Sequence, residues 1–225
     1  MRQRYRQRAW AAYLRTMELP SRLMEVAVDQ MASLPGIGRK TALRLVLHLL
    51  KRDEERVDAF ARAFTELRAG VRPCATCANL TESEQCSICA DPVRDDRTIC
   101  VVEDLRDLLA IEQLGLYKGR YHLLGGVISP MDGVGPSDLT VESLVARCTD
   151  SEWGQGVDGL PSEVIFALPT TMEGETTAFY LYKKLQPTGV RVTAIARGIA
   201  VGDDLQHADE ATLAQSLNQR LPYST

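Results

Sequence analysis

The sequence predicts a multidomain α+β protein with four parts: a helical N-terminal region, a cysteine-rich module, an α/β domain with a mainly parallel sheet, and a C-terminal helix. Three observations support this fold class. Apolar residues recur at helical spacing after residue 21. Two C-x-x-C pairs lie close together between residues 74 and 89. From residue 98 onward, short apolar strands alternate with amphipathic helices, which is typical of a parallel sheet covered by helices.

Composition and charge favour a nucleic-acid-binding protein. The 225 residues are 45% hydrophobic, and they include no apolar run of bilayer length and no hydrophobic signal region near Met1, so we expect a soluble intracellular protein with no membrane partner. The net charge of -4 conceals a basic front: residues 1–52 carry eleven Lys or Arg against three acids. Such a segment attracts a polyanion locally, which makes DNA the first partner to test.

Residues 1–20 form a basic N-terminal extension in which arginines alternate with Tyr5, Trp10 and Tyr13. Three interpretations remain open. An Arg-rich, acid-poor segment is typical of a transit peptide, although this one is poor in serine. It also suits a helical arm whose arginines contact phosphate, or an extension that only caps the next helix. Met17 is a candidate alternative start.

The next segment predicts a helix-hairpin-helix. Ser21 is a good N-cap for a first helix that ends near Ser33, before the turn Leu34-Pro-Gly-Ile-Gly38. A second helix follows from Arg39 to about Lys51. Gly36 and Gly38 permit backbone conformations that let amide groups approach a phosphate closely. The alternative is a turn shaped by packing alone. A further helix, Asp53 to Ala69, is expected to bury its apolar side.

Three cations follow the hairpin turn and are candidate DNA-binding residues together with Gly36 and Gly38. Arg39 and Lys40 lie at the positive end of a helix dipole, where cations are normally unfavourable unless an anion binds there. Arg44 lies one helical turn after Lys40 on the same side of the helix. The other interpretation of Arg44 is a solvated surface charge with no role in DNA binding. Contacts of this kind reach the DNA backbone, so they would confer little sequence specificity.

The two C-x-x-C pairs, Cys74/Cys77 and Cys86/Cys89, predict one structural zinc ion. Each pair lets one turn present two thiolates, and four soft ligands complete a closed tetrahedral site with no open position for a reactive water. The alternatives are two disulfides or unrelated free thiols. Cys100 and Cys148 lie in apolar segments, where small buried thiols are common.

The remaining chain predicts strands at Ile99–Val102, Tyr121–Leu124, Val164–Leu168 and Arg191–Ala196, with helices at about 104–114 and 175–185 and a closing helix after Asp209. A glycine- and proline-rich loop spans residues 125–136, and residues 150–159 are a polar insert. Ligands of such sheets gather at the carboxyl ends of strands, where Glu103 and the segment 169–175 must lie.

The order of these motifs resembles the RecR family of bacterial recombination mediators. The hairpin P-G-I-G, the four cysteines, V-V-E, H-L-L-G-G-V-I-S-P-M-D-G-V-G-P and M-E-G-E-T-T-A occur in the family's order and spacing over residues 21–217. The resemblance implies that the α/β part is a Toprim domain. The expected parts are a basic extension (1–20), a helix-hairpin-helix domain (21–72), a zinc knuckle (73–97), a Toprim domain (98–197) and a C-terminal segment (198–225).

The resemblance also implies a cytoplasmic bacterial protein associated with the nucleoid, and it implies a function. Four subunits are expected to form a ring that encircles DNA and, with RecO and RecF, to load RecA onto single-stranded DNA coated by single-strand-binding protein at gaps. The family's DNA-binding lysine and arginine match Lys40 and Arg44. Two departures from the family pattern are Arg39, where proline is usual, and Val201-Gly-Asp-Asp-Leu205 in place of V-G-G-E-L.

Two alternatives to the clamp remain. One is an adaptor that binds RecO and has little DNA affinity of its own. The other is a magnesium-dependent Toprim enzyme, because related domains pair a strand-end glutamate with D-x-D for phosphoryl chemistry. Glu103 meets the first requirement, but Pro169 and Thr171 stand where the aspartates belong. We therefore expect no catalysis, and we assign Glu103, Glu173 and Glu175 to partner docking or a weak magnesium site.

Overall fold

The structure is a computed structural model that describes residues 19–149, 160–199, 202, 204–218 and 220. Nearly all of the predicted basic extension and the whole polar insert 150–159 lie outside these residues. So do Val201 and Asp203 of the segment that departs from V-G-G-E-L, and Leu221, which the sequence places on the closing helix. The chain divides into two compact units, which meet in sequence between Gly70 and Val71. No helix in the described part of the chain is both long enough and apolar enough to cross a membrane.

Three helices make up the described part of the first unit: α1 (Arg22–Ala32), α2 (Arg39–Leu49) and α3 (Glu54–Gly70). The predicted cap is present, because the Ser21 hydroxyl accepts a hydrogen bond from the Leu23 amide at 3.2 Å. The last residue of α1 is Ala32 and its C-cap is Ser33, as the following Pro35 predicts. A small apolar core joins α1 to α2, with Val28 and Ala42 fully buried.

The predicted burial of the third helix is wrong for the single chain. α3 has no buried residue, and Phe64 and Leu67 on its apolar side are 58% and 56% exposed. Phe60 and Phe64 contact each other edge to face, with ring centroids 5.0 Å apart, instead of packing into a core. The apolar spacing is helical as predicted, but periodicity does not specify whether the face that it creates meets another part of the same chain.

The second unit begins with the cysteine-rich module. A two-residue antiparallel ribbon pairs β1 (Arg72–Pro73) with β2 (Leu80–Thr81), and a single helical turn, α4 (Ser87–Ala90), completes the module. The α/β domain follows. Its elements are β3 (Asp95–Val102), α5 (Leu105–Gln113), β4 (Gly119–Leu123), α6 (Val141–Thr149), β5 (Glu163–Ala167), α7 (Met172–Leu185) and β6 (Arg191–Ala194). A last helix, α8, spans Glu210–Asn218.

The four longer strands form one sheet in the order β4-β3-β5-β6, and every pairing is parallel, which confirms the predicted fold class. Two elements start three or more residues earlier than predicted. β3 starts at Asp95 and not at Ile99, because the amide of Asp95 bonds to Lys118 at 2.9 Å and draws polar residues into the pairing. α7 starts at Met172 and not at Glu175, because the Thr171 hydroxyl caps it by accepting from the Gly174 amide at 3.1 Å.

The central strand β3 is buried on both faces, as its continuous apolar run predicts. Ile99 and Val101 face one core, which α6 and α7 cover. Cys100 and Val102 face the other, which Leu108 of α5 covers. The alternation explains why the sheet needs helices on both sides.

A close approach of backbone to backbone sets the start of α7. Gly174 is buried, and a Cβ atom built on it would lie 2.0 Å from the carbonyl oxygen of Pro169. Only glycine therefore lets the helix begin directly after β5. This turn holds Glu173 and Glu175 at the carboxyl edge of the sheet, where β3 also ends before Glu103.

Candidate metal centre and nucleic-acid interface

The four predicted cysteine ligands converge on one point. The sulfur atoms of Cys74, Cys77, Cys86 and Cys89 all lie within 4.8 Å of one another, and the first three residues are buried. The Cys77 and Cys86 sulfurs are 3.5 Å apart. A tetrahedral zinc ion with Zn–S bonds of about 2.3 Å requires sulfur–sulfur separations of about 3.8 Å. The cluster therefore fits zinc. The four cysteines form no disulfide, contrary to the disulfide alternative.

Short backbone turns give the cluster its shape. The Ala78 amide donates to the carbonyl of Cys74 at 3.0 Å, and Ala78 has a left-handed φ of 60°. The Cys86 amide donates to the Cys74 sulfur at 3.3 Å, which joins the two C-x-x-C turns. These hydrogen bonds join the two turns and hold the four sulfurs at a spacing that suits one zinc ion.

Crowding couples the protonation of the thiols. The hydrogen bond between Cys77 and Cys86 raises the pKa of the Cys77 thiol and lowers the pKa of the Cys86 thiol, because one sulfur holds the proton that the other accepts. Four thiolates at this spacing would repel one another strongly without a cation. A zinc ion supplies that cation and holds all four cysteines as thiolates.

The cysteine module is hydrogen-bonded to β4, which lies at one edge of the sheet. The Leu123 amide donates to the carbonyl of Cys77 at 2.9 Å. Arg120 donates from Nη1 to the carbonyl of Ile88, and its Nε lies 2.5 Å from Asp96 Oδ1. Ala78 and Ile88 pack against the apolar core on one face of the sheet. The module thus covers hydrogen-bonding groups that an edge strand would otherwise expose.

The hairpin turn between α1 and α2 is open, as phosphate binding requires. Gly36 has a left-handed φ of 80°, and a Cβ atom at Gly36 or Gly38 would meet nothing within 4 Å. Gly38 is the N-cap of α2, and it provides no side-chain hydrogen bond to the first amides of the helix. The turn therefore presents amide donors at a positive helix end.

The three predicted cations have different surroundings. Arg39 forms an ion pair with Asp29 of α1 and a longer one with Glu25, at 3.8 Å, so its charge is engaged in joining the two helices. Lys40 and Arg44 are exposed on α2 and lie one turn apart. Lys40 and Arg44 are therefore the exposed cations nearest to the open turn.

The acidic candidates at the sheet edge do not form a metal cluster. Burial raises the pKa of Glu103, and the neighbouring Asp107 and Asp104 act in the same direction. Glu175 pairs with Arg197, and Glu173 lies in the first turn of α7. Among the residues that the structure describes, the four cysteines are the group whose ligand atoms come together for a metal.

The sequence carries no functional indication for two buried arginines, Arg120 of β4 and Arg147 of α6, which are 9% and 5% exposed. The available signal for Arg147 was its position on the apolar side of α6, beside Leu144 and Cys148. A charge at such a position predicts a buried partner but does not identify it.

Replacing a zinc ligand should remove the metal and lower stability together. In Cys77→Ser, zinc content should fall from one ion per chain to a small fraction, because the hydroxyl is a poor zinc ligand. The melting temperature should fall by about 10 °C or more, since structural zinc is coupled to folding. Elemental analysis and thermal melting measure both effects. Cys100→Ser is the matched control, because it also buries a hydroxyl; it should keep its zinc. A Cys77→Ser protein with unchanged zinc and melting temperature would contradict the site.

Comparison with protein families identifies four consecutive segments. Family models match residues 24–68 to the helix-hairpin-helix of RecR, 71–91 to the four-cysteine zinc finger domain of RecR, 97–196 to the Toprim domain and 198–220 to the C-terminal part of RecR. These matches confirm the predicted zinc module and the predicted Toprim domain.

Proteins named Recombination protein RecR align with most of the chain. The one from Porphyromonas gingivalis strain W83 is 54% identical over 204 residues, which cover 91% of this chain and 95% of the relative. The one from Bacteroides thetaiotaomicron is 54% identical over 203 residues, covering 90% and 95%. The one from Flavobacterium johnsoniae is 49% identical over 207 residues, covering 92% and 97%. With this identity over nine-tenths of its length, the chain belongs to the RecR family of recombination proteins.

Proposed function

We propose that this protein is a non-enzymatic DNA clamp that acts as a recombination mediator. With RecO, and with RecF where it is present, the clamp helps to load RecA onto single-stranded DNA coated by single-strand-binding protein at gaps in the nucleoid. The observation that carries the DNA-binding part is the open turn before α2, where Gly38 provides no side-chain cap and where Lys40 and Arg44 are exposed.

This arrangement suits backbone contacts and not base recognition. Uncapped amides and a helix N-terminus bind phosphate oxygens, and lysine and arginine side chains add charge that displaces counterions. Neither group contacts base edges, so single- and double-stranded DNA of any sequence would bind through the same residues. Arg39, which pairs with Asp29 and Glu25 of α1, stays a candidate phosphate contact beside Lys40 and Arg44.

The double substitution Lys40→Ala with Arg44→Ala should weaken DNA binding equally for unrelated sequences. The slope of log affinity against log salt should become shallower by about two units, one for each lost phosphate contact. Fluorescence anisotropy with labelled single-stranded and duplex oligonucleotides, in the absence of RecO, measures both quantities across a salt series.

The matched control removes the same charge elsewhere in the same unit. Arg62→Ala with Arg68→Ala alters two exposed cations of α3, and it should leave the salt slope near that of the parent. Equal slopes for the parent and the Lys40 and Arg44 variant would show that the hairpin is not the DNA contact and would favour the adaptor, which reaches DNA only within a RecO complex.

Assembly into a ring, with four subunits, is the second part of the proposal. It is supported by the apolar face of α3, where Phe60, Phe64 and Leu67 stay exposed in the single chain. A neighbouring apolar groove of about 560 Å³ lies between the three helices and is lined by Met31, Val46 and others. An exposed apolar face of this extent is typical of a surface that another subunit covers.

Phe64→Glu should therefore produce a smaller particle, because a buried carboxylate would be unpaired at the contact. Light scattering after size-exclusion chromatography measures the mass, with Leu116→Glu as the control. Leu116 is 84% exposed in a loop of the second unit, so its substitution should leave the mass at that of the parent. An unchanged mass for Phe64→Glu would remove α3 from the subunit contact.

The absence of catalysis in the proposal rests on the chemistry of the sheet edge. Magnesium-dependent phosphoryl transfer needs carboxylates grouped around the metal. Pro169 and Thr171 provide none at the positions of the missing D-x-D, and Glu175 is paired with Arg197. We assign Glu103, Glu173 and Glu175 to the docking of a basic surface of RecO.

A further inference from the structure

Arg147 of α6 lies in the interior of the second unit and faces β4. The residue is 5% exposed, and its Nη1 donates to the carbonyl of Tyr121 at 2.8 Å. Two residues further along the same strand, the Leu123 amide donates to the carbonyl of Cys77. The guanidinium and the cysteine cluster are therefore attached to one short segment of backbone.

The histidine between these two positions meets the arginine as a neutral acceptor. His122 Nε2 lies 3.0 Å from the carbonyl oxygen of Thr140, which can only accept, so this nitrogen carries the proton. His122 Nδ1 then accepts from Arg147 Nη1 at 3.2 Å. Complete burial and, to a smaller extent, the charge of Arg147 lower the pKa of His122 to about 3, so the imidazole adds no charge. The arginine alone brings a positive charge into this interior.

A buried cation requires a counter-charge. Within the described residues, Arg147 has no carboxylate within ion-pair distance, whereas the similarly buried Arg120 pairs with Asp96. The groups that oppose the effect of burial on Arg147 are cysteines. Burial lowers the pKa of Arg147, and Cys89, Cys77, Cys148 and Cys74, in decreasing order, raise it, as thiolates do near a cation. Three of these four are predicted zinc ligands.

The charge of a zinc centre with four thiolates completes the argument. One divalent cation and four thiolates leave a net double negative charge, which in a partly buried site requires donors or cations close by. Groups outside the ligand shell that orient and neutralise ligands commonly change metal affinity when they are altered. We propose that Arg147 is the counter-cation of the zinc centre, a positioning residue whose buried guanidinium balances the charge of the four-thiolate cluster and holds that cluster against β4.

The test compares zinc affinity in variants that separate charge from packing. Arg147→Met keeps the length of the side chain and removes its charge, and it should weaken zinc binding about 10- to 100-fold. Arg147→Lys keeps the charge and should stay close to the parent. Leu144→Ala, a cavity in the fully buried part of the same helix, should lower the melting temperature without changing zinc affinity. Competition with a chromophoric chelator for Zn²⁺ measures the dissociation constant.

A second pair of variants changes the charge of the cluster itself. Cys89→His gives a three-thiolate, one-imidazole site, which also binds structural zinc but carries one negative charge fewer. If Arg147 balances charge, then Arg147→Met should weaken zinc binding by a smaller factor in the Cys89→His background than in the parent. A purely structural arginine would give the same factor in both backgrounds.

The outcomes are distinct. A smaller penalty in the Cys89→His background, with affinity preserved in Arg147→Lys, supports the proposal. Equal penalties in both backgrounds, or equal losses in Arg147→Met and Arg147→Lys, overturn it. If Arg147→Met alone does not fold, recovery of a folded, zinc-bearing double variant with Cys89→His supports the proposal, and its failure to fold overturns it.

Discussion

The convergence of four cysteine sulfurs beside the edge strand β4 is the constraint on which the second unit depends. The cysteine module encloses only a few apolar side chains of its own, and what it adds to the domain is attachment: Cys77 accepts from Leu123, Ile88 accepts from Arg120, and Ala78 packs against the core. A metal ion that closes the module therefore acts on the sheet through these contacts. An exposed edge strand invites unwanted pairing, and the module occupies that edge.

The metal module and the turn that we propose to bind DNA belong to different units of the chain. The loop between the cysteine pairs contains Glu82 and Glu84 and no basic residue, so it is unsuited to phosphate contact. The features that suit DNA lie in the first unit, at the turn before α2. There the ion pairs of Arg39 with Asp29 and Glu25 hold two helices together, and the same helix presents Lys40 and Arg44 to solvent. In both units, an arginine also joins neighbouring elements: Arg39 joins α1 to α2, and Arg120 joins β4 to the cysteine module.

The sequence predicted what depends on local pattern. The Ser21 and Asp104 helix starts, the left-handed glycine of the hairpin, the C-x-x-C spacing and the two-faced burial of β3 all follow from residue type and periodicity. It did not predict what depends on tertiary contact. The exposure of α3 depends on which surface meets it, and the pairing of Arg39 with Asp29 depends on how two helices cross. The position of Arg147 beside the metal module joins residues far apart in the chain, and no short-range pattern encodes it.

The central claim is that zinc stabilises the edge strand β4 of the Toprim sheet through the cysteine module and does not act on the hairpin that we propose to bind DNA. Amide hydrogen exchange of the zinc-loaded protein, before and after removal of the metal by a chelator, tests it most directly. The account predicts that metal removal accelerates exchange in β4, above all at the Leu123 amide bonded to Cys77, while the amides of α1 and α2 keep their protection. Unchanged protection of β4 after complete loss of zinc, or equal deprotection of α1 and α2, would contradict it.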